Sequence, residues 1–282
     1  MKQRQLGPGG PMVGEIGLGG MYLSIQGRPD DAQAIRTIHA ALDAGETLVD
    51  TADVYCLDDR DIGHNERLIA KAIAGRADRV VVATKGGLRR PGGAWTRDAR
   101  PEQLAAACDA SLKALGVAAI DLYQLHAPDG AVPFAESVGA LARLREAGKI
   151  RFVGLSNVSA AELAEAQRIV PIASVQNRWN PSHRGPERDG VLAACTAAGI
   201  AFLPYSPFGG ASGAASLAER KKLSAEAARR GMSPHRLVLS WMLAKSPVVI
   251  PIPGARREAS VRDSAAATAL PAADVASVEA TF

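Results

Sequence analysis

Residues 80–85 read Val80-Val81-Val82-Ala83-Thr84-Lys85. Branched and small apolar side chains follow one another without a polar break, and the run stops on a lysine. A strand with one wet face alternates apolar and polar residues. A continuous apolar run suits a strand covered on both faces, as in parallel sheets flanked by helices. Working outward, residues 47–50, 120–126, 152–157, 172–177, 200–206 and 248–253 read as similar strands. Residues 15–20 form a first strand ending in glycines, and residues 1–14, rich in Gly and Pro, read as an irregular cap. Helical segments separate the strands. Asp30 and Asp31 open one that runs through Ala44 and closes at Gly45. Others span 65–73, 101–115 (Pro101 in its first turn), 133–147, 187–198, 216–230 and 234–244, and Ser159 caps one to Ile169. Residues 89–100 read as a loop carrying Trp95, and a Gly/Ala/Ser loop follows residue 206. A last helix begins near Arg256, and a capping pattern at Pro271–Asp274 opens a C-terminal segment.

Eight strands alternating with helices, with no break in composition, predict an α/β fold. The count is that of a (β/α)8 TIM barrel spanning 1–282 as one domain. The competing doubly wound sheet needs GxGxxG after its first strand, and Gly17-Leu18-Gly19-Gly20-Met21-Tyr22 lacks that spacing.

Composition narrows the function classes. Of 282 residues 47% are hydrophobic, and the net charge is +4 with its arginines scattered among acids. No basic patch with interleaved aromatics speaks for nucleic acid. No stretch nears the roughly 18 to 20 apolar residues of a membrane span, and the N-terminus has no apolar signal region. Cys56, Cys108 and Cys195 are sparse and odd in number, with no CxxC or metal-ligand spacing, which points to a reducing, cytoplasmic compartment and no metal. Gly154-Leu155-Ser156-Asn157-Val158 begins like a nucleophile elbow but lacks its final glycine.

Barrel sites form at the C-terminal ends of strands and in the loops just beyond. Asp50, Lys85 and His126 end strands two, three and four, and Tyr55 lies five residues past Asp50. Each alone is an ordinary cap or surface charge. Together they suit carbonyl reduction: hydride addition leaves negative charge on oxygen, which an acid must protonate. Tyrosine titrates near about 10, and a neighbouring ammonium, Lys85, is expected to lower that value. Asp50 would keep Lys85 charged, and His126 would donate to the carbonyl oxygen. Met21, Tyr22, Trp95 and also Trp179 are placed to line the pocket mouth with Tyr55 and His126. Arg89 and Arg90 read as solvated loop cations or as contacts for an anionic substrate.

These positions resemble the catalytic tetrad of the aldo-keto reductase superfamily. Gly17-Leu18-Gly19, Asp50-Thr51-Ala52, Asn65-Glu66, Thr84-Lys85, Gly154-Leu155-Ser156-Asn157, Gln176-Asn177 and Tyr205-Ser206-Pro207 carry the resemblance, in order, over essentially the whole chain. It implies a (β/α)8 barrel and metal-free, NADPH-dependent reduction of a small-molecule carbonyl, with Tyr55 as general acid. Asp50 and the resembling Ser156, Asn157 and Gln176 would lie at the nicotinamide, with Tyr205 stacked on its ring. Gly20, Met21, Ser206, Pro207, Phe208 and Gly209 would follow the pyrophosphate. Pro253, Gly254, Arg256, Ser260, Asp263 and Ser264 would hold the adenosine end, Arg256 taking the 2′-phosphate. The chain departs from the family pattern in three places: Asp263-Ser264 replaces a common Glu-Asn, Ser260 a basic or amide residue, and Cys56 a glycine. Residues 154–157 and 176–184 are similar to bacterial general aldo/keto reductases, including the pyridoxal reductase branch. A monomer or weak homo-oligomer is expected. The alternative is a different role in the same fold, a redox-sensing potassium-channel β subunit; the added N-terminal segment that would serve there as an inactivation peptide is not read in this sequence.

Overall fold

The computed structural model describes residues 1–76 and 79–282. Its centre is a curled parallel sheet of seven strands: β3 (Leu18–Gly19), β4 (Leu48–Asp50), β5 (Val81–Gly86), β8 (Ile120–Leu125), β9 (Ile150–Ser156), β10 (Ile172–Gln176) and β11 (Ala201–Phe202). They pair in the order β11-β10-β9-β8-β5-β4-β3, so sequence neighbours are spatial neighbours among the barrel strands. Residues 248–253, the expected eighth strand, close the ring without forming a regular ladder. Toward β11, Phe202 donates to Val248 and Ile250 donates back to Phe202, each at 2.8 Å; toward β3, Gly17 and Gly19 donate to Pro251 and Pro253 at 2.9 and 3.0 Å. Pro251 and Pro253 have no N–H to return, so half of the ladder on that side cannot form. Pro204 likewise cuts the seventh strand short of the expected 200–206.

Helices wrap the outside: α1 (Asp31–Asp43), α2 (His64–Ile73), α3 (Pro101–Leu115), α4 (Phe134–Glu146), α5 (Ala160–Gln167), α6 (Gly185–Arg188), α7 (Val191–Ala198), α8 (Gly210–Ser216), α9 (Lys221–Arg229), α10 (Pro234–Lys245), α11 (Glu258–Ala265) and α12 (Ala272–Glu279). Three of the expected caps form, whereas Pro271 opens α12 with no side-chain cap. The Asp30 side chain accepts from Gln33, Ser233 accepts from Arg236, and Ser159 and Glu162 make a reciprocal capping box, satisfying N–H groups a helix start leaves free.

Two apolar layers result. One, between sheet and helices, includes Ile38, Leu141 and Trp241. The other fills the barrel interior with Leu48, Val81, Ala83, Leu122, Ala173, Leu203 and Ile250. Leu6 and Val13 belong to this inner layer because residues 1–14 are not an irregular cap: β1 (Gln3–Gln5) and β2 (Met12–Gly14) pair as an antiparallel hairpin. The turn presses so close that a Cβ at Gly7 would lie 2.1 Å from the Ala173 carbonyl.

Three other local expectations change. The helix foreseen over 187–198 is split into α6 and α7 at Gly190, whose φ is 85°. The Gly/Ala/Ser loop winds into α8. The 89–100 loop is ordered by a small hairpin, β6 (Leu88–Arg89) with β7 (Thr96–Arg97). No described helix is long and apolar enough to cross a membrane.

Candidate active site

The strand ends converge. Lys85, at the end of β5 and fully buried, sends its Nζ to Asp50 Oδ1 and Oδ2 at 2.9 and 2.7 Å, to the Thr51 carbonyl at 2.8 Å and to the Tyr55 hydroxyl at 3.2 Å. Asp50 is held from its other side, since the Gln176 side chain donates to it at 2.7 Å and that of Gln124 at 3.4 Å. Parallel register makes this possible: Asp50 lies opposite Ala83 and Lys85 opposite Gln124, so inward-pointing residues of β4, β5, β8 and β10 meet across the barrel mouth. His126 follows β8, its backbone N–H bonded to the Gly86 carbonyl at 2.9 Å. Its ring stands edge-on to Tyr55 with centroids 5.8 Å apart.

Burial sets the charge states. Desolvation depresses Lys85 below its ordinary value, and Asp50 opposes that shift. The Tyr55 phenol is pushed well above its usual range, first by burial and then by Asp50, Tyr205 and Asp53. The expectation that Lys85 lowers it is therefore reversed, because burial, the larger effect, and the Asp50 carboxylate, which repels a phenolate, both favour the neutral phenol. Tyr55 stays protonated at neutral pH, the state an acid needs. Burial, then the Lys85 charge, pushes His126 well below its usual range, so its imidazole is neutral. Its Nδ1 is buried with no partner among the described residues.

Asp50, Tyr55 and His126 open into a cavity of about 370 Å³, with Lys85 fully buried behind them. Of the residues anticipated from sequence, Met21, Tyr22, Asp50, Tyr55, Trp95, His126, Ser156, Asn157, Gln176, Tyr205, Ser206, Pro207, Phe208 and Gly254 line it. Asn157 and Ser206 adopt left-handed backbone, with φ of 60° and 50°, a conformation side chains other than Gly rarely take. This strain turns the chain away from the strands at the cavity. Asn157 is fixed by donating to the His126 carbonyl at 2.9 Å and accepting the Tyr205 hydroxyl at 2.7 Å.

Other anticipated residues lie elsewhere. Gly20, Gly209 and Pro253 flank the lining without forming it. Arg256 lines a separate cavity of about 510 Å³ with Gly27, Pro29, Gln33, Arg257 and Glu258, its guanidinium 5.3 Å from the Tyr22 ring centre. Asp263 accepts the hydroxyl of Ser233, Ser264 is buried and Ser260 is exposed, and none of the three lines either cavity. Trp179 is core: it is fully buried, donates to Glu187 at 2.9 Å and packs on Trp241. Arg89 is exposed and bonded to Gln103, whereas Arg90 is buried and does not line the cavity. The sequence reading missed Gly19, Leu88, Gly210, Ala211, Ala214 and Ile252. They are small or apolar: α8 brings in Gly210, Ala211 and Ala214 and the 88–97 hairpin Leu88, while Gly19 and Ile252 sit at barrel strand ends without a polar group to mark them. Cys56, Cys108 and Cys195 are free and buried, with burial raising their thiols to about 11, 12 and 12.

A family model described as the aldo/keto reductase family matches residues 15–281. Solved structures agree. The chain is 29% identical to the glycerol dehydrogenase AKR11B4 from Gluconobacter oxydans, with 96% of this chain and 92% of that one covered and a TM-score of 0.81. An aldo-keto reductase from Klebsiella pneumoniae in complex with NADPH is 26% identical, with 100% and 95% covered and a TM-score of 0.83. An aldo/keto reductase of the same organism, in complex with NADP and acetate, is 27% identical, with 100% and 96% covered and a TM-score of 0.84.

Proposed function

The chain belongs to the aldo/keto reductase family, and we propose that it reduces aldehydes or ketones to alcohols with NADPH, Tyr55 serving as general acid. The observation that carries this reading is a protonated phenol 3.2 Å from the Lys85 ammonium, beside a neutral imidazole on the wall of a cavity of about 370 Å³.

The donor set fits a nicotinamide dinucleotide. Ser156, Asn157 and Gln176 offer amide and hydroxyl partners for a carboxamide, Tyr205 offers a ring face, and Met21, Ser206, Pro207 and Phe208, flanked by Gly20 and Gly209, would border the path leading away. Pro253 and Gly254 lead on to Arg256, which is our candidate for a 2′-phosphate, since Arg suits bidentate contact with phosphate. When bound, NADPH supplies a hydride to the carbonyl carbon. The protein's own part is at the oxygen. As the C=O electron pair moves to oxygen, Tyr55 Oη gives it a proton and forms the O–H bond of the alcohol. The phenolate left behind sits beside Lys85, whose charge is held in place by Asp50. Neutral His126 keeps an N–H with which to orient the oxygen, and it competes for no proton at working pH. Met21, Tyr22, Leu88 and Trp95 give the substrate end apolar walls.

Tyr55→Phe tests the assignment. It removes the proton donor and keeps the ring, so carbonyl-dependent NADPH oxidation should fall at least about 100-fold, while NADPH binding, followed by cofactor fluorescence, is retained. Full turnover in that variant would reject Tyr55 as the acid.

A further inference from the structure

Behind the substrate end of the cavity lies a buried cation that the chemistry above does not use. Arg90 is 1% exposed. Its guanidinium carbon is 4.0 Å from the centre of the Trp95 ring. Nη2 donates to the carbonyls of Cys56 and Leu57 at 3.1 and 3.0 Å, the two residues that follow Tyr55. Nε and Nη1 are buried without any acceptor, and no carboxylate among the described residues pairs with the group. Burying unpaired donors costs stability. An apolar side chain would fill the same space without that cost, so the guanidinium must be explained by its contacts.

Those contacts join two walls of one pocket. The carbonyls belong to the loop that carries Tyr55, and the indole belongs to the 88–97 hairpin. Trp95 is 47% exposed and lines the cavity. Its ring stands edge-on to Tyr55 at 6.4 Å and to His126 at 6.5 Å, with interplanar angles of 73° and 72°. The chain just before it turns at Gly92 and Gly93, with φ of 55° and 86°, and no regular element holds the indole in place. A Cβ at Gly93 would lie 3.2 Å from the same Leu57 carbonyl, so the loop packs down where Arg90 bonds.

We propose that Arg90 is a positioning residue: by stacking beneath Trp95 and tying it to the Tyr55 loop, it fixes the indole as a flat wall and makes the enzyme favour planar, ring-bearing aldehydes over small aliphatic ones. The proposal rests on the carbonyl-reductase reading. Arg90 covers one face of the indole, which leaves the other for a flat ligand. Without the stack, the side chain and its glycine-rich turn must be ordered at each binding event, and binding bears that entropy. The effect falls on substrate binding, because Arg90 touches no reacting atom.

The test compares Arg90→Met, Arg90→Lys, Trp95→Ala and the Arg90→Met/Trp95→Ala double variant on 4-nitrobenzaldehyde and propanal with NADPH. Arg90→Met should lower kcat/KM for the aromatic aldehyde about tenfold, the scale of a desolvated cation–π contact, through KM, and change propanal less than about twofold. Trp95→Ala should act in the same direction, and the double variant should be no worse than Trp95→Ala, as expected for residues acting through one contact. Arg90→Lys keeps the charge but cannot stack and reach both carbonyls at once, so it should fall between. Equal losses on both aldehydes, a loss in kcat alone, or additive losses would overturn the proposal. A second readout needs no turnover. Trp179 and Trp241 are fully buried, so acrylamide quenching of fluorescence reports on Trp95. Quenching should rise in Arg90→Met and Arg90→Lys. Unchanged quenching overturns the proposal even in an active enzyme, whereas a wild type inactive on every aldehyde defeats the reductase reading and leaves the Arg90–Trp95 contact to be judged by quenching.

Discussion

Asp50→Asn removes one charge from the centre of the site and almost no volume. In the native chain the Lys85 ammonium is 0% exposed and meets both Asp50 oxygens at 2.7 and 2.9 Å. At such a separation, with an effective dielectric of about 20, the gross attraction is about 6 kcal/mol. Taking away one partner of a buried pair costs about 3–5 kcal/mol net, because the other charge stays buried. The Asn oxygen still accepts from Nζ, as do the Thr51 carbonyl and the Tyr55 hydroxyl, so the lower end, about 3 kcal/mol, is expected near neutral pH. The deficit must depend on pH. Burial already depresses Lys85 and Asp50 opposes it, so the variant lysine is depressed further. Between its folded value and its unfolded value the unfolded chain binds more protons, so stability rises with pH there, by up to about 1.4 kcal/mol per unit. Urea unfolding at several pH values between 7 and 10, followed through buried Trp179 and Trp241, should show the deficit shrinking toward the alkaline end. Asp50 also helps to hold the Tyr55 proton, so the alkaline limb of alcohol oxidation should move to lower pH in the variant. A deficit under about 1 kcal/mol at every pH, the scale of an exposed ion pair, would refute the dependence of the buried Lys85 charge on Asp50.

The wild-type pH profile follows from the directions at Tyr55 and His126. With the phenol raised and the imidazole depressed, carbonyl reduction should show no titration of either group between about pH 6.5 and 10, while alcohol oxidation, which needs the phenolate, should climb through that window; a reductive limb falling near neutrality would contradict this. Arg256→Ala should weaken NADPH about 10- to 100-fold, the value of a charge-assisted contact, and leave NADH nearly unchanged in fluorescence titrations; equal losses would remove the phosphate assignment. In β9, a Cβ on Gly154 would stand 2.3 Å from Ser174 Oγ and 2.8 Å from Gln124 Cγ. Gly154→Ala should therefore cost about 1–3 kcal/mol by overpacking and lower Tm measurably in calorimetry, and adding Ser174→Gly should restore much of it.

The parallel barrel was legible because its strands are covered on both faces and so read as unbroken apolar runs, as at 80–85. Helix starts were legible because capping is local: Ser159 with Glu162, and Ser233 with Pro234, need only neighbours in the chain. The convergence of these side chains was legible because strand ends all point to one face of such a barrel, so Asp50, Lys85 and His126 could be brought together without knowing any distance. What the tertiary structure alone decided depends on neighbours distant in sequence. Residues 1–14 pair as a hairpin because the inner layer accepts Leu6 and Val13. Residues 248–253 close the ring without a regular ladder because their prolines face β3. The Tyr55 proton is retained, against the expectation from Lys85, because burial and the Asp50 charge outweigh the ammonium. Arg90 read as a loop cation, yet the fold buries it under Trp95 and against the Cys56 and Leu57 carbonyls. Sequence alone determined which residue types reach the barrel mouth, since strand periodicity and strand order are local properties. The charge states and the packing of Arg90 against Trp95 were decided by desolvation and by long-range contacts, which exist only once the chain has folded.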